Sequence, residues 1–327
     1  MIRTAKLFTI SMLGLFMFSG GCGDDGNGPV GPGGYDSVLI QLFDASHLSG
    51  GYFYQLWAAK YETSLASSST LDWIPLVEFN VTPVNDAPSP DIITTITGQV
   101  IPNNTLFGLP IDFDDYDSAL ISIEPPGASS GTPSSSVIAA THIPDFSFQT
   151  IGILDFPEDV DSGGVNFYQL ATPTDADTSN ERSGVWFAQN LETQAPGLAL
   201  RAAPTGWNYE GWARHDNGWL STGKFLSRAT SDQFSGYSAT ANPAPGFPGE
   251  DFLNNAPSGV TFPWTFVDGD SVMVTLEPNP DPEDGPFGIR LLVRSMSPRP
   301  VPRVATPLIS NEKVMPNGSL TFGRSED

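Results

Sequence analysis

"FYQLWAAK" (53–60) and "NYEGWARHDNGWLSTGKF" (208–225) are the stretches whose comparison decides the fold. Taken alone, the second resembles a concentrated active site, with aromatic rings, Glu, Arg, His, Asp, Ser, Thr and Lys in eighteen positions. Set beside the first, it reads as the second copy of a landmark strand. Tyr54 and Trp57 recur as Tyr209 and Trp212 at an offset of 155. Leu109-Pro110 recurs as Phe262-Pro263, Ile121–Pro125 ("ISIEP") as Val274–Pro278 ("VTLEP"), and Pro133 as Pro286, all at an offset of 153. Landmarks in the same order at nearly constant spacing indicate an internal duplication.

Outward from these stretches, apolar residues come in short alternating runs between turn signals. Examples are "SVLIQLF" (37–43), "LVEFNVT" (76–82), "ALISIEP" (119–125), "VNFYQLA" (165–171), "GVWFAQN" (184–190), "SVMVTLEP" (271–278) and "IRLLVRS" (289–295). With 33 Gly and 30 Pro as punctuation and almost no helical period, the pattern predicts an all-β chain. Two tandem antiparallel β-sandwich (immunoglobulin-like) domains are expected, at 35–143 and 144–297. A Pro-rich tail follows at 298–327, with a late strand at "SLTF".

The first residues have the layout of an export signal. Arg3 and Lys6 precede an apolar run from Leu7 to Phe18, too short for a membrane span, and Ser19, Gly20 and Gly21 lead to Cys22, the single cysteine. This junction resembles the lipobox of bacterial lipoproteins, although Ser19 stands where that family usually has Leu, Val or Ile. The resemblance implies a signal peptide over 1–21, lipid attachment at Cys22, and a Gly/Pro/Asp-rich spacer over 22–34. The expected location is the cell envelope, on the periplasmic or outer-surface side, with the lipid as the membrane attachment. Without Arg3 and Lys6, 12 Lys+Arg remain against 37 Asp+Glu, a net charge of −25. Such a balance disfavours nucleic acid and anionic head groups as partners.

The order Tyr-x-x-Trp, a hairpin rich in Gly and hydroxyls, then a strand ending in Glu-Pro resembles the C-terminal extracytoplasmic domain of anti-sigma-K factors. The first copy carries the resemblance in "ALISIEPPGASSGTPSSSVIAA" (119–140). The second carries it in "GWNYEGWARHDNGWLSTGKF", "GFPGEDFL" (246–253) and "VTLEPNPDPEDGPFGIRLLV" (274–293). Such factors hold sigma through a cytoplasmic segment joined by a membrane helix, and this chain resembles the outer half alone. The resemblance implies a non-enzymatic binding or sensing module whose partner is an envelope protein or a small ligand. The alternative is a carbohydrate- or calcium-associated adhesion module, and a third reading is a hydrolase.

In a strand, alternate residues share a face. Tyr54, Leu56 and Ala58, and likewise Tyr209, Gly211 and Ala213, are expected to face the core. Glu210, Trp212 and Arg214 then lie on the other face. Together with Trp219, expected to pack near Trp212 across the hairpin, they form the candidate binding set. "HDNG" reads as the turn, with Asn217-Gly218 supplying positive φ and His215 at a solvated tip. Ser221, His215 and Asp216 offer triad residue types, but no Gly-x-Ser-x-Gly elbow surrounds Ser221. Glu124 and Glu277 occupy matching places before Pro and are expected to accept backbone N–H bonds rather than to do acid/base work. No catalytic residue and no cofactor is expected. The acidic stretches "DFDDYD" (112–117), "DFPEDVDSGG" (155–164) and "PDPEDG" (280–285) are weak calcium candidates, represented by Asp112, Asp114, Asp159 and Asp161. His47, His142 and His215 lack a second ligand at metal spacing, so zinc is not expected.

Overall fold

Alternation in both landmark stretches becomes strand, and residues 53–59 and 207–213 are buried, on strands paired along both edges. The computed structural model describes residues 36–60, 72–84, 89–109, 111–128, 131–142, 151–153, 164–216, 218–311 and 315–323. The expected leader, Cys22, the expected spacer, Asp159 and Asp161 lie outside the described residues, as does the expected boundary at 143/144. Contacts group Gly34–Asp327 into one compact unit.

The described residues are all-β. The first half carries β1 (Ser37–Phe43), β2 (Phe53–Lys60), β3 (Asp72–Thr82), β4 (Ile92–Thr94), β5 (Thr105–Leu106), β6 (Ser118–Glu124), β7 (Val137–His142) and β8 (Ile151–Ile153). The second carries β9 (Phe167–Leu170), β10 (Gly184–Trp186), β11 (Ala188–Asn190), β12 (Ala195–Pro196), β13 (Trp207–His215) and β14 (Gly218–Phe225). It continues with β15 (Gly249–Asp251), β16 (Ser271–Pro278), β17 (Arg290–Ser295), β18 (Thr306–Pro307), β19 (Ile309–Ser310) and β20 (Asn317–Gly323). Every alternating run quoted above lies on one or two of these strands.

Two five-stranded sheets have the orders β4-β3-β2-β6-β7 and β14-β13-β16-β17-β19. Four strands of one match four of the other: β3 with β14, β2 with β13, β6 with β16, β7 with β17. The register agrees in detail. Tyr54 lies between Phe79 and Ile123, and Tyr209 between Phe225 and Leu276. The pairing shifts between Leu56 and Trp57 in the first sheet and between Gly211 and Trp212 in the second. It shifts again between Ile121 and Ser122, and between Val274 and Thr275. A bulge re-aims the side chains beside it, so its recurrence at matched positions makes the two sheets alike in backbone geometry as well as in strand order.

The second half differs by an added sheet, β15-β10-β9-β18. Phe187, directly after β10 of this sheet, explains one sequence difference. Leu56 of the first copy becomes Gly211 in the second, where a Cβ would collide with the Phe187 ring and the Thr222 hydroxyl. The ring takes the space that a larger side chain would fill.

One continuous apolar cluster draws on both halves, including Val38, Tyr54, Leu56, Phe79, Phe187, Tyr209, Val274 and Leu320. The two halves also touch through polar groups. Ser136 Oγ donates to the Gly206 carbonyl at 2.8 Å, and that carbonyl accepts the Asn279 N–H at 2.8 Å. Gly206 has φ +83, and a Cβ there would strike the Ser135 carbonyl. The expected C-terminal tail is instead part of the fold. β20 contains the anticipated "SLTF" and pairs with β1 over Ser37–Phe43, placing Leu320 and Phe322 in the core. Burial of that apolar face, rather than the Pro content around it, governs the segment.

Candidate functional site

The two copies share one relay of polar contacts, and the second adds charge around it. In the first copy, Trp57 Nε1 donates to Ser122 Oγ at 2.8 Å, Ser122 Oγ donates to Glu124 Oε1, and that oxygen accepts the Ser134 N–H at 2.8 Å. In the second, Trp212 Nε1 donates to Thr275 Oγ1 at 2.9 Å, Thr275 Oγ1 donates to Glu277 Oε1, and that oxygen accepts the Phe287 N–H at 3.0 Å. Each chain of bonds ties a sheet to the loop after the Glu-Pro strand. Both glutamates are buried, at 2% and 0% exposure, so a partner for each oxygen matters. The expected acceptance of backbone N–H by Glu124 and Glu277 is what the geometry shows.

The second copy adds charge around this relay. Glu210 stands where the first copy has Gln55, Asp281 where the offset of 153 places Ala128, and Lys224 where the register places Glu78. Glu210, Glu277 and Asp281 each present an oxygen, all within 4.8 Å of one another. Lys224 Nζ reaches Asp281 Oδ2 at 2.7 Å and lies 3.9 Å from Glu210 Oε2. Ser221 Oγ donates to Glu210 Oε1, and Asp281 Oδ1 accepts the Glu283 N–H at 2.9 Å. Oε2 of Glu210 and Oε2 of Glu277 are buried with no hydrogen-bond partner.

Electrostatics follow from this crowding. Burial raises Glu277 to about 8; the Thr275 and Phe287 bonds oppose the rise, while Asp281 and Glu210 add to it. Burial also raises Glu210, with Ser221 and Lys224 opposing and Asp281 reinforcing. For Lys224, burial alone would lower the pKa, but the Asp281 bond and the charges of Glu210, Asp281 and Glu277 together outweigh it, and the pKa is raised. The arrangement can hold protons on carboxyls at neutral pH or gather hard oxygen ligands about a cation.

The expected binding face divides in two. Glu210 and Trp212 are buried at 5% and 2% exposure, so this end is closed to a large partner. Arg214 and Trp219 are half-buried, and the guanidinium carbon sits 5.9 Å from the Trp219 ring centre. The register places Trp219 opposite Arg214, with Ser221 opposite Trp212, so Trp219 stacks under arginine instead of packing on Trp212. The hairpin turn is also displaced from expectation. His215 pairs with Gly218, which makes 216 and 217 the two central positions, and Asp216 has φ +53. Asn217 itself lies outside the described residues.

His215 is not a solvated tip. Its Nδ1 lies 2.9 Å from Asp270 Oδ2, and its ring lies 5.3 Å from Trp264 and 6.0 Å from Phe266. Ser221 is bonded to Glu210 and His215 to Asp270, so the triad types are not assembled. Asp112 is half-buried and belongs to no three-residue metal-ligating group among the described residues. Asp114 lies in the single turn 113–115, its side chain outside the description.

A second group of carboxyls escaped sequence reading. Glu250 and Asp251, on β15, are both 0% exposed. Ser238 Oγ donates to Glu250 Oε1, while Asp251 Oδ1 accepts the Trp186 Nε1–H at 2.7 Å. Asp232 accepts the Gly249 N–H at 2.8 Å. Burial raises Asp232 to about 7, Glu250 to about 8 and Asp251 to about 6, in each case against hydrogen bonds that favour the ion. Trp186 is 2% exposed, so its ring offers no open face to a sugar. No protein-family model, curated protein or solved structure matches the chain.

Proposed function

We propose that this chain is a non-enzymatic, lipid-anchored binding or sensing module of the cell envelope. In this reading it consists of two fused copies of an immunoglobulin-like β-sandwich that resembles the outer domain of anti-sigma-K factors. One observation carries the reading: the polar chemistry shared by both copies, the Trp–hydroxyl–Glu relay, ties sheet to loop in each. Function then belongs to groups that distinguish the copies. Those gathered in the second are charged ligand atoms without an assembled nucleophile and base. The leader, Cys22 and the polar spacer support an exported and tethered chain. An envelope protein or a small ligand is the proposed partner.

Mass spectrometry of the mature N-terminus from membranes tests the anchor. A triacylated or diacylated Cys22 supports it, and an unmodified Cys22 or cleavage elsewhere overturns it. Crosslinking in intact cells tests the module, a reproducible envelope partner being the expected outcome.

The calcium-associated reading is favoured by the Glu210, Glu277 and Asp281 cluster. The carbohydrate reading loses support from the burial of Trp186 and Trp212.

A further inference from the structure

The duplication supplies a control within the molecule. At three matched places the first copy folds with Gln55, Ala128 and Glu78, and the second has Glu210, Asp281 and Lys224. The fold of this sheet therefore does not require the added charges. Gln55 closes its hydrogen bond locally, donating to the Leu56 carbonyl at 3.0 Å. Glu210, at the same register, leaves a buried oxygen without a hydrogen bond, 3.9 Å from Lys224 Nζ. Substituting carboxylates into a closed sheet is costly unless something compensates them.

Lys224 compensates in part. With all three carboxyls ionised, as ligation of a cation requires, three negative charges against one ammonium leave two, which one divalent cation would neutralise. The oxygens without a hydrogen bond belong to Glu277, wholly buried, and Glu210, 5% exposed and within ion-pair reach of Lys224, both among the three carboxylates whose ligand oxygens converge. Glu277 Oε1 is held by Thr275 and Phe287, which fixes the carboxylate and leaves Oε2 as the available ligand. Ser221 holds Glu210 Oε1 in the same way. Such outer bonds orient ligands about a metal. The donors are all oxygen, which suits a hard cation rather than zinc or copper. A separation within 4.8 Å fits opposite ligands of a calcium shell, whose bonds are about 2.3–2.6 Å. Magnesium, which keeps several waters, suits so enclosed a place less well.

We propose that Glu210, Glu277 and Asp281 form a calcium site particular to the second copy, with Lys224 as its charge-balancing neighbour. The site also lies by the first copy: Ser49 Oγ donates to the Pro282 carbonyl at 3.3 Å, next to Asp281. Calcium there would brace the loop after β16 against the segment before β2. The proposal gives the calcium-associated reading a location. It does not depend on lipidation, so a failed anchor at Cys22 leaves it standing, and a failed titration leaves the anchor standing.

The test is calorimetric titration of the chelator-treated full chain with CaCl2, alongside Tb3+ luminescence excited through tryptophan. Saturable binding of one equivalent is expected, with Kd roughly 10⁻⁴–10⁻³ M as in extracellular calcium modules. Glu210→Gln and Asp281→Ala each install the first copy's residue, so both should fold. Each should weaken binding by at least about tenfold, the loss that even an outer partner of a ligand brings. Asp112→Asn should leave the titration unchanged. Absence of saturable binding up to about 10 mM, beyond the weak end of that range, would overturn the proposal. So would binding undiminished in both folded variants, which would put the cation elsewhere.

Discussion

Phe187 lies over Gly211, its ring in the space where a side chain on Gly211 would project. The first copy has Leu56 at the corresponding place. Gly211→Leu should therefore destabilise the chain by at least about 1–3 kcal/mol through overpacking. Phe187→Ala should cost about 3–5 kcal/mol by leaving a cavity. Combined as Gly211→Leu with Phe187→Ala, the changes should cost less than their sum, because the leucine refills the cavity. Urea unfolding of the four proteins measures the coupling, and strict additivity would show that the two residues do not share that space.

The paired relays predict paired effects. Glu124→Ala should release the Ser134 N–H, and Glu277→Ala the Phe287 N–H. Each should cost about 1–3 kcal/mol, the range for a buried donor left unsatisfied. Hydrogen exchange resolved by residue checks this: protection should fall at Ser134 in one variant and at Phe287 in the other. Loss spread evenly over both sheets would mean that the glutamates act on the whole fold instead of their own loops.

Stability should depend on pH through Asp232, Glu250 and Asp251, whose folded values are raised by burial to about 7, 8 and 6. A carboxyl raised on folding binds a proton in the native state that the unfolded chain has already released. Its contribution to unfolding free energy then falls as pH rises from the ordinary carboxylate range to the folded value, and is level beyond. The urea midpoint should thus drop between pH 5 and pH 8.5. Glu250→Gln should flatten the upper part of that slope, and an unchanged slope in the variant would place the titration elsewhere.

Removing residues 311–327 should destabilise more than loss of a polar tail would. β20 covers β1, and Leu320 and Phe322 are core residues. Phe322→Ala alone should cost about 3–5 kcal/mol. Limited proteolysis should show the truncated chain cut at or near 37–43, where the unpaired edge of β1 is exposed. Resistance equal to that of the intact chain would contradict the packing described.

Much of the strand layout was legible because its signals are local. Alternation in "SVLIQLF" and "SVMVTLEP" and the spacing of Tyr, Trp and Glu-Pro need no knowledge of partners. Glu124 and Glu277 were legible as structural because both copies keep them. Lys224 was not, since only its register opposite Glu210, after a bulge, shows that it meets Asp281 across 57 residues. A signal did exist: Gln55, Ala128 and Glu78 differ from their counterparts in charge. Glu250 and Asp251 had none, because "GED" carries no trace of the sheet that buries it.

By itself, the sequence determined the all-β character, the positions of the main strands and the repetition of landmarks, since pleat and turn chemistry are properties of neighbouring residues. Tertiary structure decided that Trp212 and Glu210 are covered while Arg214 and Trp219 reach the surface, that the C-terminal strand completes a sheet, and that Glu210, Glu277 and Asp281 meet. The reason is that burial and charge proximity depend on which segments pack together, and the desolvation that shifts a carboxyl is supplied by residues far away along the chain.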